Sequence, residues 1–208
     1  MNLKYKIILL IVLVGGFCAI MLGVIAQNNF LMTFDAQTAQ LFSRLHSLLL
    51  DNFALAITQI GNTYQTLIIF FICGLFLIIK RKKYYFYVLT IAVGLGITLV
   101  EMMKVSIERI RPPMHLLLGT GFSFPSGHAT IATIYLLSAI LLIAPLLVNR
   151  FSKIIWITIC SIIFPLVALS RIYLSLHFGT DVIAGIILGS ACFDFATTVT
   201  FHHHSYRE

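Results

Sequence analysis

The sequence is short of charge. Only 10% of its 208 residues are Asp, Glu, Lys or Arg, against roughly 25% in a soluble globular domain. Acidic side chains are scarcest, seven against fourteen Lys and Arg. So little polar surface excludes an ordinary soluble domain. Cysteine occurs four times, as Cys18, Cys73, Cys160 and Cys192, scattered through apolar stretches with no Cys-x-x-Cys pair. That removes a disulfide framework and a zinc spacing, and leaves them as small apolar side chains. What is abundant is hydrophobicity, at 60% of residues. Composition therefore points to a polytopic, all-α membrane protein built as a single domain over residues 1–208. The net charge of +7 does not make a nucleic-acid surface, because the basic residues sit in short clusters between apolar runs. No nucleic-acid partner and no obligate protein partner is expected.

A helix crossing the hydrocarbon needs about 20 mostly apolar residues, and helices satisfy their own backbone groups where no water can. Six segments qualify: Ile7–Ala26, Phe53–Ile79, Tyr84–Val105, Gly127–Val148, Ile154–Leu169 and Asp181–Thr200. The first follows Lys4 and Lys6 like a signal peptide, but it is longer than the roughly 7–15 residues of a signal core, so it is expected to be a retained span. With the N-terminus inside, nine basic residues are cytoplasmic: Lys4, Lys6, Lys80, Arg81, Lys82, Lys83, Arg150, Lys153 and Arg207. Five lie outside: Arg44, Lys104, Arg109, Arg111 and Arg171. Positive charge favours the inner side of short loops, so both termini are expected in the cytoplasm. Between spans one and two, Ala39, Phe42, Leu45, Leu49 and Phe53 recur at helical spacing, which predicts an amphipathic helix lying on the outer face.

Three of the five outer cations, Lys104, Arg111 and Arg171, hold the patterned positions of three short stretches. These are Lys104 to Pro112, Pro125-Ser126-Gly127-His128, and Ser170 to Asp181. Each lies at the same end of its span, so all converge at the outer membrane face. Lys104, Arg111 and Arg171 suit a dianionic phosphoryl group, arginine by planar bidentate donation and lysine as a point charge. Ser126 and Gly127 stand where a helix begins, and the free N–H groups there favour an anion. His177 and Asp181 are four apart, so one helical turn brings them together. A carboxylate on one ring nitrogen leaves the other aimed and unprotonated. That assigns His177 as nucleophile, Asp181 as its orienting partner and His128 as general acid and then base. Asp181 also suits a helix N-cap, and the two roles are compatible. No carboxylate cluster is placed to hold Mg²⁺, so neither metal nor cofactor is expected.

The three stretches resemble the signature motifs of the type-2 phosphatidic acid phosphatase family: Lys-x6-Arg-Pro, Pro-Ser-Gly-His and Ser-Arg-x5-His-x3-Asp. All three are complete and in order. The resemblance implies a six-helix core with its site at the extracytoplasmic surface of the inner (cytoplasmic) membrane. It implies phosphate binding by Lys104, Arg111, Ser126, Gly127 and Arg171, and catalysis by His177, His128 and Asp181. It implies a lipid phosphate substrate, with undecaprenyl pyrophosphate, phosphatidylglycerophosphate and phosphatidic acid as the bacterial choices. A lipid phosphotransferase of the same family, or a non-catalytic transport or binding protein, are the alternatives. Outside the motifs, Arg109 reads as an interfacial anchor. His46, His115, His202, His203 and His204 read as solvated. Glu101 is placed to pair with Lys104, and Glu108 to brace the loop arginines. Phe122 and Phe124 read as packing or a lipid path. Asp194, inside a span, is a functional candidate with no partner in view.

Overall fold

The computed structural model describes residues 3–113 and 121–205. Among these residues eight α-helices follow in chain order: α1 (Leu3–Ile25), α2 (Asn29–Ser43), α3 (Leu48–Thr58), α4 (Thr63–Ile79), α5 (Lys83–Ile107), α6 (Gly127–Ser138), α7 (Arg150–Tyr173) and α8 (Gly179–Ser205). Among the described residues there is no strand. Five helices are long and apolar enough to cross a membrane, counting α6 with its continuation to Leu146. A pair of helices, Leu48–Gly61 and Thr63–Ile79, bent by 55° at a short break, is long and apolar enough to make a sixth when taken as one span.

That break corrects the straight second span expected from hydropathy. Gly61-Asn62 interrupts an otherwise apolar run, and Asn62 lies in extended backbone (ψ 159°) that no helix accommodates. The single surface helix expected before it is also two helices. Asn28 caps α2 by accepting the Phe30 N–H at 3.0 Å. The chain then turns at Arg44–Ser47, and Ser47 caps α3. The turn cuts the Ala39-to-Phe53 periodicity in two. α7, by contrast, is longer than the expected Ile154–Leu169 at both ends, and carries Pro165 inside it, as membrane helices tolerate.

The bundle is built around α6 and α8. The rest of the chain buries 61% of the Gly127–Leu146 span and 56% of Gly179–Thr200, against 11% of α1, so α1 lies at the rim. Ile11, Val12, Phe71 and Ile72 are exposed, as expected of surfaces that face lipid tails. Where lipid is the solvent, small residues drive close helix packing. Gly185 and Gly189 of α8 do this here. A Cβ on Gly185 would stand 2.6 Å from the Ser126 carbonyl oxygen, and one on Gly189 2.4 Å from that of Thr130. This backbone contact fixes the start of α6 against the start of α8. Phe124, fully buried, packs against Phe17 with ring centroids 5.9 Å apart, so of its two readings the structure supports packing.

Candidate active site

Two left-handed residues deliver the patterned stretches to one end of the bundle. Glu108 (φ 51°) closes α5 with its N–H on the Lys104 carbonyl and swings the chain back over the helix ends. Glu108 itself is exposed and braces nothing by an ion pair among the described residues. Ser175 (φ 54°) does the same after α7. The N–H groups of Leu176 and His177 then return to the Arg171 carbonyl, at 3.0 and 3.2 Å. Such αL turns satisfy carbonyls that a helix end would strand. His177 therefore precedes α8 instead of lying on its first turn, which corrects the expectation drawn from the four-residue spacing.

His177 is 3% exposed. Its Nδ1 lies 2.7 Å from the Ser123 carbonyl oxygen and 3.6 Å from Asp181 Oδ2. The carbonyl can only accept, so Nδ1 carries the proton and Nε2 holds a lone pair. The direct hydrogen-bond partner is thus Ser123, with the Asp181 carboxylate just beyond. Asp181 Oδ2 also accepts the Phe178 N–H at 2.9 Å, so capping and pairing coexist in one side chain. Burial pushes the His177 imidazole down to about 4, Asp181 pulls it back up, and Arg171 and Arg111 push it down.

This has a consequence for stability. An unfolded chain protonates this histidine near 6.5 and the folded chain only near 4. The neutral ring's contribution is complete above the unfolded value and is lost as pH falls toward the folded one, by roughly 3 kcal/mol. His177→Asn is expected to lose less Tm than the parent protein between about pH 7 and pH 4.5. Equal losses in thermal melts would contradict a buried neutral imidazole.

Two of the cations, Arg111 and Arg171, bear on His177. Arg111 Nη1 lies 3.3 Å from His177 Nε2 and donates to the Leu176 carbonyl at 2.7 Å. Its Nε donates to the Gly121 carbonyl at 3.0 Å. Arg171 is 8% exposed. Its Nη1 donates to Thr58 Oγ1 at 2.7 Å, and its Nε has no partner among the described residues. Lys104 pairs with Glu101 at 2.8 Å, as its spacing suggested. Ser126 departs from a direct phosphate contact: its hydroxyl is fully buried and accepts the Ala129 N–H at 3.4 Å as the cap of α6. Its own N–H donates to the Asp181 carbonyl at 3.0 Å, tying the second stretch to the third. The open N–H groups at this helix start are those of Gly127 and His128.

Lys104, Gly127 and His128 line a cleft of about 460 Å³, with Leu67, Ile97 and Ile131 as its apolar wall. His128 Nε2 lies 3.1 Å from Asn62 Oδ1. The ring fits because Gly61 has no side chain; a Cβ there would stand 2.4 Å from His128 Cδ2. The break in the second span therefore seats this histidine, a role that a hydropathy reading had no means to assign.

Arg109 is not an interfacial anchor. Its side chain is 10% exposed and bridges Asp35 at 2.6 Å and Asp181 at 2.5 Å, with Phe178 beneath it at 4.2 Å. Asp35 was missed altogether. The available signal was an acidic residue in register with Ala39 and Phe42, on the apolar stripe of α2. His46 is likewise not solvated: its Nδ1 is 2.8 Å from Asp51 Oδ1 and its ring lies 4.6 Å from that of Tyr173. Asp194 is buried, with Oδ2 unpartnered among the described residues. His115 and the side chains of His202, His203 and His204 lie outside the described residues.

Fold and site together define a multi-pass helical membrane protein with a cluster of cations and two histidines at one end of its bundle. The chain belongs to the PAP2 superfamily, whose profile matches residues 83–205. It is 34% identical over 140 residues to phosphatidylglycerophosphatase B of Bacillus subtilis, covering 66% of this chain and 68% of that one. It is 35% identical over 127 residues to an undecaprenyl-diphosphatase of Sulfolobus acidocaldarius, 57% of each. The crystal structure of a transmembrane PAP2-type phosphatidylglycerolphosphate phosphatase from Bacillus subtilis matches with TM-score 0.80 and 27% identity, over 93% of this chain and 96% of that one. Aquifex aeolicus LpxE shares the fold, with TM-score 0.60 over 77% of this chain and 93% of that one, at 24% identity.

Proposed function

We propose that this chain is an integral membrane phosphatase that removes phosphate from a lipid phosphomonoester or diphosphate through a phosphohistidine. The observation that carries the reading is the aim of His177: Nδ1 held by the Ser123 carbonyl, and Nε2 unprotonated and 3.3 Å from the Arg111 guanidinium. A phosphoryl group held by Arg111, Arg171, Lys104 and the start of α6 meets that lone pair. Nε2 attacks phosphorus, and the bond to the leaving oxygen breaks. His128 gives that oxygen its proton. His128 then takes a proton from water, whose oxygen attacks phosphorus and breaks the N–P bond. The cations stabilise charge on the equatorial oxygens throughout, the main protein contribution to phosphoryl transfer.

The whole chain serves as one catalytic domain, placed in the inner membrane with both termini cytoplasmic and the site on the extracytoplasmic face. The basic run Lys80–Lys83 supports that orientation. The apolar wall of the cleft suits lipid tails. Undecaprenyl pyrophosphate leads the candidate substrates, beside phosphatidylglycerophosphate and phosphatidic acid. Among the described residues no three His, Cys, Asp or Glu side chains gather to hold a metal ion, and no metal is assigned a step.

The test is phosphate release by the purified protein from each of these three lipids in mixed micelles, with and without EDTA. Release that survives EDTA is expected. Loss restored by Mg²⁺ would overturn the metal-free scheme, phosphate passed to a second lipid would make the chain a phosphotransferase, and no release from any lipid would favour a binding or transport role.

The seat of His128 is testable too. Asn62→Ala should lower kcat by about 10-fold through a looser proton donor. Gly61→Ala should cost more, since the ring itself has to move. Unchanged kcat in both, measured by phosphate release, would detach His128 from the break in the second span.

A further inference from the structure

The His177–Asp181 pair is not the end of its own chain of contacts. Asp181 Oδ1 accepts from Arg109 Nη1. Arg109 Nη2 donates to Asp35 Oδ2 at 2.6 Å, and its Nη1 reaches Thr180 Oγ1 at 2.8 Å. Asp35 in turn accepts the Thr180 N–H at 2.8 Å and the Thr180 hydroxyl at 2.8 Å. A side chain of α2 thereby caps α8 from outside it. Asp35 is 3% exposed and Asp181 fully buried, so these charges interact with little screening by water.

The order of charges matters. An isolated Arg109–Asp181 pair would be neutral overall, with less left to stabilise an imidazolium at His177. A second buried carboxylate restores the balance. The sequence minus, plus, minus carries a net single negative charge, as one carboxylate alone would, yet is held rigidly by both arms of a guanidinium.

We propose that Asp35 and Arg109 are positioning residues for the proposed nucleophile His177, acting through Asp181: Arg109 fixes the carboxylate in place, and Asp35 offsets the charge Arg109 brings. The inference rests on the phosphohistidine reading for its purpose, and makes α2 a working part of the site. The other groups that bear on His177 are Arg111 from the loop after α5, Arg171 at the end of α7 and His128 at the start of α6. None of them is altered in the test.

The test is a titration of His177 in ¹⁵N-histidine-labelled full-length protein in detergent, with its ring resonances identified by their loss in His177→Asn. Asp35→Asn keeps the shape and removes a negative charge, so the midpoint should fall by about half a pH unit or more. Arg109→Gln removes the positive charge, and the midpoint should rise by a similar amount, about half a unit. The double variant should return toward the parent value. Arg109→Lys keeps the charge and loses the fork, so its midpoint should stay while phosphoenzyme formation slows. In Asp35→Asn, kcat should fall about 10-fold with KM changed by less than about 3-fold.

Midpoints that move the same way in Asp35→Asn and Arg109→Gln, or not at all, would overturn the proposal and leave a structural tie. If one single variant does not fold, the other and Arg109→Lys still decide the sign. The titration needs no turnover. A chain without phosphatase activity would leave it intact, whereas active enzyme with unmoved midpoints would sink the relay alone.

Discussion

Labelled phosphorus should accumulate on the His128→Ala protein and never on His177→Ala, when each is mixed with an aryl phosphate and quenched at neutral pH. An aryl leaving group departs without a proton, so loss of His128 spares the first step. The second step needs a base to activate water, and without it the N–P bond persists. His177→Ala lacks the nitrogen altogether. For a lipid substrate, whose alkoxide does need a proton, His177→Ala should lose at least ~10⁴-fold in kcat/KM, and His128→Ala about 10²–10⁴-fold. The motivating geometry is the difference in setting. His177 is tied through Nδ1 to the Ser123 carbonyl, while His128 stands on the cleft wall with Asn62 at its Nε2. A label on His177→Ala, or an unlabelled and fully active His128→Ala, would reverse or abolish the assignment.

The second large effect concerns Arg171. Arg171 is 8% exposed, and among the described residues no carboxylate lies within ion-pair distance and its Nε is left without a partner. A buried charge in that condition costs stability unless something binds it. A phosphoryl oxygen is the fitting acceptor. Arg171→Met should therefore do two opposite things: lower kcat/KM by about 10²–10³-fold, the usual loss for one preorganised donor, and hold or raise Tm. Inorganic phosphate should raise the Tm of the parent protein more than that of the variant. A variant that melts well below the parent, with phosphate protecting both equally, would make Arg171 a structural residue.

Much of this site was legible because its chemistry is written in short, local spacings. Lys104 with Arg111, Ser126 with His128, and Arg171 with His177 and Asp181 each lie within a dozen residues and sit at helix ends that hydropathy locates. The remainder depends on contacts between distant segments. Ser123 acts through its backbone carbonyl, which carries no side-chain identity to read. Arg109 shares a stretch with Arg111, yet only the left-handed turn at Glu108 sends the one to Asp35 and Asp181 and the other to His177. Asp35 comes from a helix whose periodicity alone implies only a surface helix, and one carboxylate on its apolar stripe is the clue. The fold shows the same division. Apolar length located the spans, whereas the bend at Gly61-Asn62 broke one of them with no proline to announce it.

That bend also shapes the enzyme's surroundings. α4 leaves it toward the opposite side of the membrane, and Tyr64 and Leu67 on α4, with Ile97 on α5, remain exposed beside the cleft, at 80%, 44% and 42%. An approach past these residues would lead sideways, from the bilayer, and not only downward from solvent. A substrate using it keeps its tails in the leaflet and arrives by two-dimensional diffusion. Its encounter rate then follows its mole fraction among neighbouring lipids, and the litres of buffer around the vesicle drop out of the rate law.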